Sequence, residues 1–157
     1  MVRTGVRGSE ETVGFTHSLI AEVILGTLDK KARRKMHRRI AQALERRSGG
    51  DGYVQELALH YMEGDAGETA VRYAWRAAEQ ARSEFAHERA LRCFEYMLEK
   101  RRGLAETQLC AAAVAASDTM LALGLPKRSI ALLKAEIPRC WYDRANCMYM
   151  QLALSYQ

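Results

Sequence analysis

Residues 53–81, YVQELALHYMEGDAGETAVRYAWRAAEQA, hold the pattern that decides the fold. Val54, Leu57, Ala58 and Tyr61 recur at the three- and four-residue spacing that lines one face of a helix, and Gly64 closes the run. Asp65 and Glu68 stand three apart, like a capping box, and open a second helix that reaches about Arg82. That helix carries Ala70, Ala74, Ala77, Ala78 and Ala81. Small side chains sit where two helices touch most closely, so this helix is built to be approached on both faces. Two amphipathic helices joined by a short break form an antiparallel hairpin.

Working outward, the punctuation repeats. Ser83 breaks the alanine helix, and the next runs from about Phe85 to Lys100 with Ala86, Ala90, Phe94 and Leu98 every four residues. Further helices are expected from Ala105 to Leu123, from Lys127 to Ile137 between Pro126 and Pro138, and from Tyr142 to the end. Towards the N-terminus, Thr16 caps a helix through about Leu28, and Asp29 caps another from Lys30 to Arg47, ended by Ser48, Gly49 and Gly50. In the latter, Ala32, Met36, Ile40 and Leu44 form a stripe expected to face the core, with its charges outward. The first dozen residues, MVRTGVRGSEET, carry four charges, two glycines and no helical period, and are expected to be loose or incomplete. With 2 prolines in 157 residues, the reading is an all-α chain of antiparallel helix hairpins stacked as a short right-handed solenoid. It divides at 1–14, 15–50 and 51–157.

The net charge of +5 is local. Residues 1–50 hold 11 basic and 5 acidic side chains, giving +6, and 51–157 hold 13 and 14, giving −1. The excess lies mainly in Lys30, Lys31, Arg33, Arg34, Lys35, Arg38 and Arg39, so the rest is an ordinary near-neutral surface. Cys93, Cys110, Cys140 and Cys147 show no CxxC spacing and sit in apolar helical patterns, as reduced buried thiols do. The apolar run from Leu19 to Leu28 is too short to span a bilayer, contains Glu22 and lacks a signal-type cleavage pattern. A cytoplasmic location is the default expectation.

The spacing W-x2-L-G-x2-Y, followed by a small and then a bulky residue, is the tetratricopeptide signature. Val54, Leu57, Ala58 and Tyr61 fall on its first-helix positions and Ala70, Ala74 and Ala77 on its second. Ala74, Ala77, Ala78 and Ala81 fit the first-helix positions again, answered by Ala90, Phe94 and Met97, so the pairing register stays open. A third match uses Ala113, Ala116, Ser117 and Met120 with Ser129 and Leu133. A fourth uses Tyr149, Leu152, Ala153 and Tyr156 and ends with its first helix. Trp and Gly of the signature are missing throughout.

The stretch from Phe15 to Glu45, FTHSLIAEVILGTLDKKARRKMHRRIAQALE, resembles the segment that closes the winged-helix region in signal-transduction ATPases with numerous domains. That class includes large LuxR-type regulators and kinase and cyclase fusions. The matching residues are Phe15, His17, Leu19, Ile20, Leu28, Arg33, Arg34, His37, Ile40, Ala41, Ala43 and Leu44. The resemblance implies that the repeats after Tyr53 begin a helical arm. It further implies that the chain enters within a winged helix and leaves halfway through a repeat. Self-association or fraying of 140–157 through the last helix is then expected.

Catalytic signatures are missing from the sequence. It has no GxxxxGK[ST] loop to cradle a nucleotide and no HExxH, GxSxG or kinase motif. Glu84 and His87 form one ExxH, whereas a helical di-iron site needs two with further carboxylates. No catalytic, cofactor-binding or metal-ligating residue is assigned, and no cofactor is expected. The expected role is a scaffold that binds a protein partner, the rest of its own parent protein, or a small effector. Candidate contacts are Lys31, Arg34, Lys35 and Arg38 on the basic helix and Tyr73, Trp75 and Arg76 on the arm. The alternative is nucleic-acid binding by the basic helix 30–39, which lacks interleaved aromatics and a separate recognition helix.

Overall fold

The computed structural model describes residues 2–7, 10–15, 26–48, 52–101, 104–139, 149, 151–153, 155 and 156. Its helices are α1 (Lys30–Ser48), α2 (Val54–Glu63), α3 (Glu68–Ser83), α4 (His87–Glu99), α5 (Glu106–Ala122) and α6 (Pro126–Glu136), the last running into a 3-10 turn, Ile137–Arg139. Asp29 caps α1 as expected, its Oδ1 accepting the Ala32 N–H at 2.6 Å. Each helix packs chiefly on its neighbours in sequence, α1 on α2 and so on to α6. Ala70, Ala74, Ala77, Ala78 and Ala81 are all fully buried because α3 lies between α2 and α4 with a small-residue face towards each. No helix among the described residues is long and apolar enough to cross a membrane.

Three of the interhelix turns share one construction. Asp65, Phe85 and Gly124 have φ of 51°, 58° and 69°. Each donates its N–H to the carbonyl three residues back, and the following residue reaches five back: Ala66 to Tyr61 at 3.1 Å, Ala86 to Ala81 at 2.7 Å, Leu125 to Met120 at 2.8 Å. This left-handed C-terminal motif satisfies the last helical carbonyls and reverses the chain in three or four residues. It also overturns the capping box expected at Asp65 and Glu68. Asp65 belongs to the end of α2, and Gly67, at φ 58°, occupies the N-cap of α3 with no side-chain cap.

Phe94, Leu57, Met97 and Leu133 are the largest apolar side chains that are almost fully enclosed, set among alanines from α3 to α5. Between α5, α6 and the C-terminal turn the core is polar. Ser129 Oγ lies 2.7 Å from Ser117 Oγ and 2.8 Å from Ser155 Oγ, all three buried. Gln151 adds a side-chain bond to Asp118. Gln151 and Ser155 are therefore seated on α5 and α6, with Leu152 against the core. Most of 140–157, including Cys140 and Cys147, lies outside the described residues, as does most of the helix expected over 16–28.

Two expectations for the N-terminal third need correction. The loose segment expected over 1–14 contains two antiparallel strands, β1 (Val2–Arg7) and β2 (Glu10–Phe15), paired from Val2↔Phe15 to Arg7↔Glu10. The cause is a period of two in Val2, Thr4 and Val6. The α1 stripe is also rotated. Ala41, at 0% exposure, is the buried apolar residue of α1, and Leu44 is partly buried, while Ile40 is 36% exposed. A seam of charged and hydrogen-bonding groups sets this orientation, and it turns Ala32, Met36 and Ile40 to the side.

A candidate partner-binding groove

Along α3, Glu68, Val71, Arg72, Trp75 and Arg76 recur every three to four residues and form one face. Opposite them stand Met97 from α4, Leu104 from the connection, and Thr107, Gln108 and Ala111 from the first turns of α5. Together they enclose an open-sided groove of about 750 Å³. Trp75 is half-buried, its indole edge-on to Phe94 at 5.9 Å and 77°. Because Phe94 is wholly enclosed, the core fixes how the indole is presented. Arg72 and Arg76 line the groove as well, and their guanidinium carbons each lie 5.6 Å from the centre of the Tyr73 ring. Gln108 Oε1 accepts the Ala105 N–H at 3.0 Å, which holds the amide at the opposite rim. The groove thus offers an apolar floor, two cations and a polar edge. Among the described residues that line it there is no histidine, cysteine or lysine and a single carboxylate, Glu68.

The structure does not bring the sequence-derived contact residues together. Trp75 and Arg76, two of the candidate contacts on the arm, line the groove. Tyr73, also expected at a partner surface, is 3% exposed and donates from its hydroxyl to Glu45 Oε1 at 2.5 Å. Its one-residue offset from the groove face turns it towards α2, where it stacks on Tyr61 at 5.2 Å. Arg34 and Arg38 are engaged with the turn between α2 and α3. Arg34 pairs with Asp65 at 3.1 Å, while Arg38 donates to the carbonyls of Gly64 at 2.6 Å and Asp65 at 3.1 Å. Their positive ends meet the carbonyl-rich C-terminus of α2, where a helix favours cations. Lys31 and Lys35 are exposed, Lys35 beside the stripe of Ala32, Met36 and Ile40.

These contacts make α1 a helix seated by polar bonds. Glu45 accepts hydroxyl bonds from both Tyr61 and Tyr73. Its carboxyl is held below the ordinary range first by the Tyr61 bond, then by that of Tyr73, with Arg72 adding attraction. Burial, and then the bond to Glu45, push the Tyr61 hydroxyl far above its usual value, so it stays a donor. Asp65 is lowered chiefly by its bond to Lys100, at 3.0 Å, with help from Arg34 and Arg38. Also between α1 and α2, His37 Nδ1 lies 2.9 Å from His60 Nδ1 with ring centres 5.2 Å apart. Burial, and then His37, pull the His60 imidazole below its usual value.

Other candidates resolve simply. Glu84 of the ExxH pair takes Gln80 at 2.8 Å and Arg89 at 3.3 Å, and His87 Nδ1 is buried with no hydrogen-bond partner. Cys93 and Cys110 are buried free thiols, and burial raises that of Cys93. His17 lies outside the described residues. Arg72 was missed by sequence reasoning, although its four-residue spacing to Arg76, flanking Trp75, was a usable signal. No protein-family model, curated protein or solved structure matches the chain.

Proposed function

We propose that this chain is a non-catalytic helical-repeat scaffold: the start of the arm of a signalling ATPase or transcriptional regulator, binding a protein partner or small effector in the Trp75 groove. The observation that carries the reading is a pre-set indole in a groove lined also by Arg72 and Arg76, on helices packed through alanine. Such a surface is rigid, apolar at its centre and charged at its rim, as binding sites are. The order of elements is supporting. A β-hairpin ending at Phe15, just ahead of the stretch that resembles the close of a winged helix, is what the wing of such a domain would supply. The buried alanines on both faces of α3 are compatible with a tetratricopeptide-like stack in which an inner helix touches two neighbours.

The nucleic-acid alternative loses part of its surface, because Arg33, Arg34 and Arg38 are engaged with Glu63, Asp65 and Gly64. The test is selection from a random peptide display library on the whole chain, repeated with Trp75→Ala. Enrichment by the parent and its loss in the variant are expected. Equal enrichment by both, or none by either, would refute groove binding. Nucleotide turnover above a blank would overturn the non-catalytic reading. Duplex binding that weakens steeply with salt would favour the alternative.

A further inference from the structure

We propose that the contact between His37 and His60 makes the α1 seam a proton-operated latch: uptake of a second proton drives the two imidazoles apart and loosens α1 while α2 to α6 stay folded. At 2.9 Å between ring nitrogens, one imidazole donates and the other accepts, so the pair is matched only while at least one ring is neutral. A second proton removes the acceptor and places two cations in contact in a half-buried site.

The surroundings decide whether that repulsion is absorbed. On α2, Glu56 and Glu63 draw a proton towards His60, but Glu63 already faces Arg33 at 3.7 Å. On α1, His37 is flanked by Arg33, Arg34 and Arg38, with Arg34 and Arg38 anchored to the α2–α3 turn beside Lys100 and Asp65. The second charge therefore arises against an element already dense in cations. Burial and the neighbouring ring win over the two carboxylates, since His60 is lowered. The released state then binds protons more readily than the docked one, so docking weakens as pH falls below the ordinary histidine range. Apolar burial adds little resistance, because α1 buries one apolar side chain, Ala41, with Leu44 only partly covered, and what opposes release is the polar seam of Glu45, Arg34 and Arg38. The arm beyond is held by the alanine contacts and enclosed Phe94, none of which titrates.

This inference is independent of the groove. It is tested on the whole chain by amide exchange, corrected for intrinsic rates, with the histidine ring protons followed by NMR. Between about pH 7.5 and about pH 5.5 the protection of α1 relative to α4 should fall, by at most about tenfold per pH unit for one extra proton. The midpoint should coincide with titration of the second imidazole. His60→Gln, which bonds without charging, should hold α1 at both pH values, and His37→Gln carries the same test if that variant does not fold. Protection of α1 that keeps pace with α4 throughout, or that falls equally in the glutamine variant, would overturn the latch.

Discussion

Gly64→Ala should pry α1 from the arm, and the geometry says by how much. The backbone at Gly64 is ordinary helical, φ −73°, so alanine meets no conformational objection. The objection is space. An added Cβ would sit 2.8 Å from Arg38 Cγ, 2.9 Å from the His60 carbonyl oxygen and 3.2 Å from Arg38 N. Carbon atoms rest at about 3.5–4.0 Å, so α1 must retreat by roughly 1 Å. That retreat stretches the 2.6 Å bond from Arg38 Nε to the Gly64 carbonyl past the useful limit. Overpacking costs about 1–3 kcal/mol and a hydrogen bond from a charged donor about 1.5–3 kcal/mol. The two losses overlap, so about 2–4 kcal/mol is expected, confined to α1 in amide exchange. Arg38→Ala removes the Cγ atom and the guanidinium together. In that background Gly64→Ala should cost only about 1 kcal/mol, giving a coupling of about 1 kcal/mol or more in a double-mutant cycle of denaturant midpoints. The same cost in both backgrounds, or less than about 0.5 kcal/mol in the parent, would refute the steric account.

Two further outcomes follow from the same contacts. Phe85, at φ 58° and 82% exposed, carries a left-handed strain of about 1–2 kcal/mol. Phe85→Gly should therefore raise the melting temperature, by a net gain of up to about 1 kcal/mol after the entropy of glycine is subtracted. Tyr61→Phe with Tyr73→Phe removes both donors to Glu45. Because the Glu45 carboxyl is lowered in the fold, its stabilisation is present above the ordinary carboxylate value and is lost as pH falls through the folded one. The double variant should cost about 2–4 kcal/mol at neutral pH, and the gap from the parent should narrow in acid. A gap constant with pH, measured by denaturation, would mean that Glu45 is not the acceptor that matters.

Much of the helical architecture was legible because its cause is local. The spacing of Ala70, Ala74, Ala77 and Ala81 announces a helix met on two faces, and those residues are buried. Trp75 stood out as the one indole among alanines. The rest required three dimensions. Period alone finds the stripe on α1, but a polar seam decides whether Ala41 or Ile40 turns inward, and its partners lie on α2 and α3. Asp65 carries a capping residue's chemistry, yet the end of one helix claimed it before the start of the next. Met97, Leu104 and Gln108 meet Trp75 from more than 20 positions away, beyond the reach of any local pattern. The hairpin at 2–15 was readable in its alternation, which a search for helical period passes over.

The alanine-lined core implies an asymmetric mutability. A contact made between two methyl groups has almost nothing to lose by truncation and no room for growth. Cavity-forming lesions are therefore concentrated at a few bulky positions such as Phe94, Leu57 and Leu133. Enlargements should be damaging nearly everywhere along α3 and α5. Only alanine, glycine and serine fit at those positions without displacing a neighbouring helix, and Ser117, buried among the alanines of α5, is of that size.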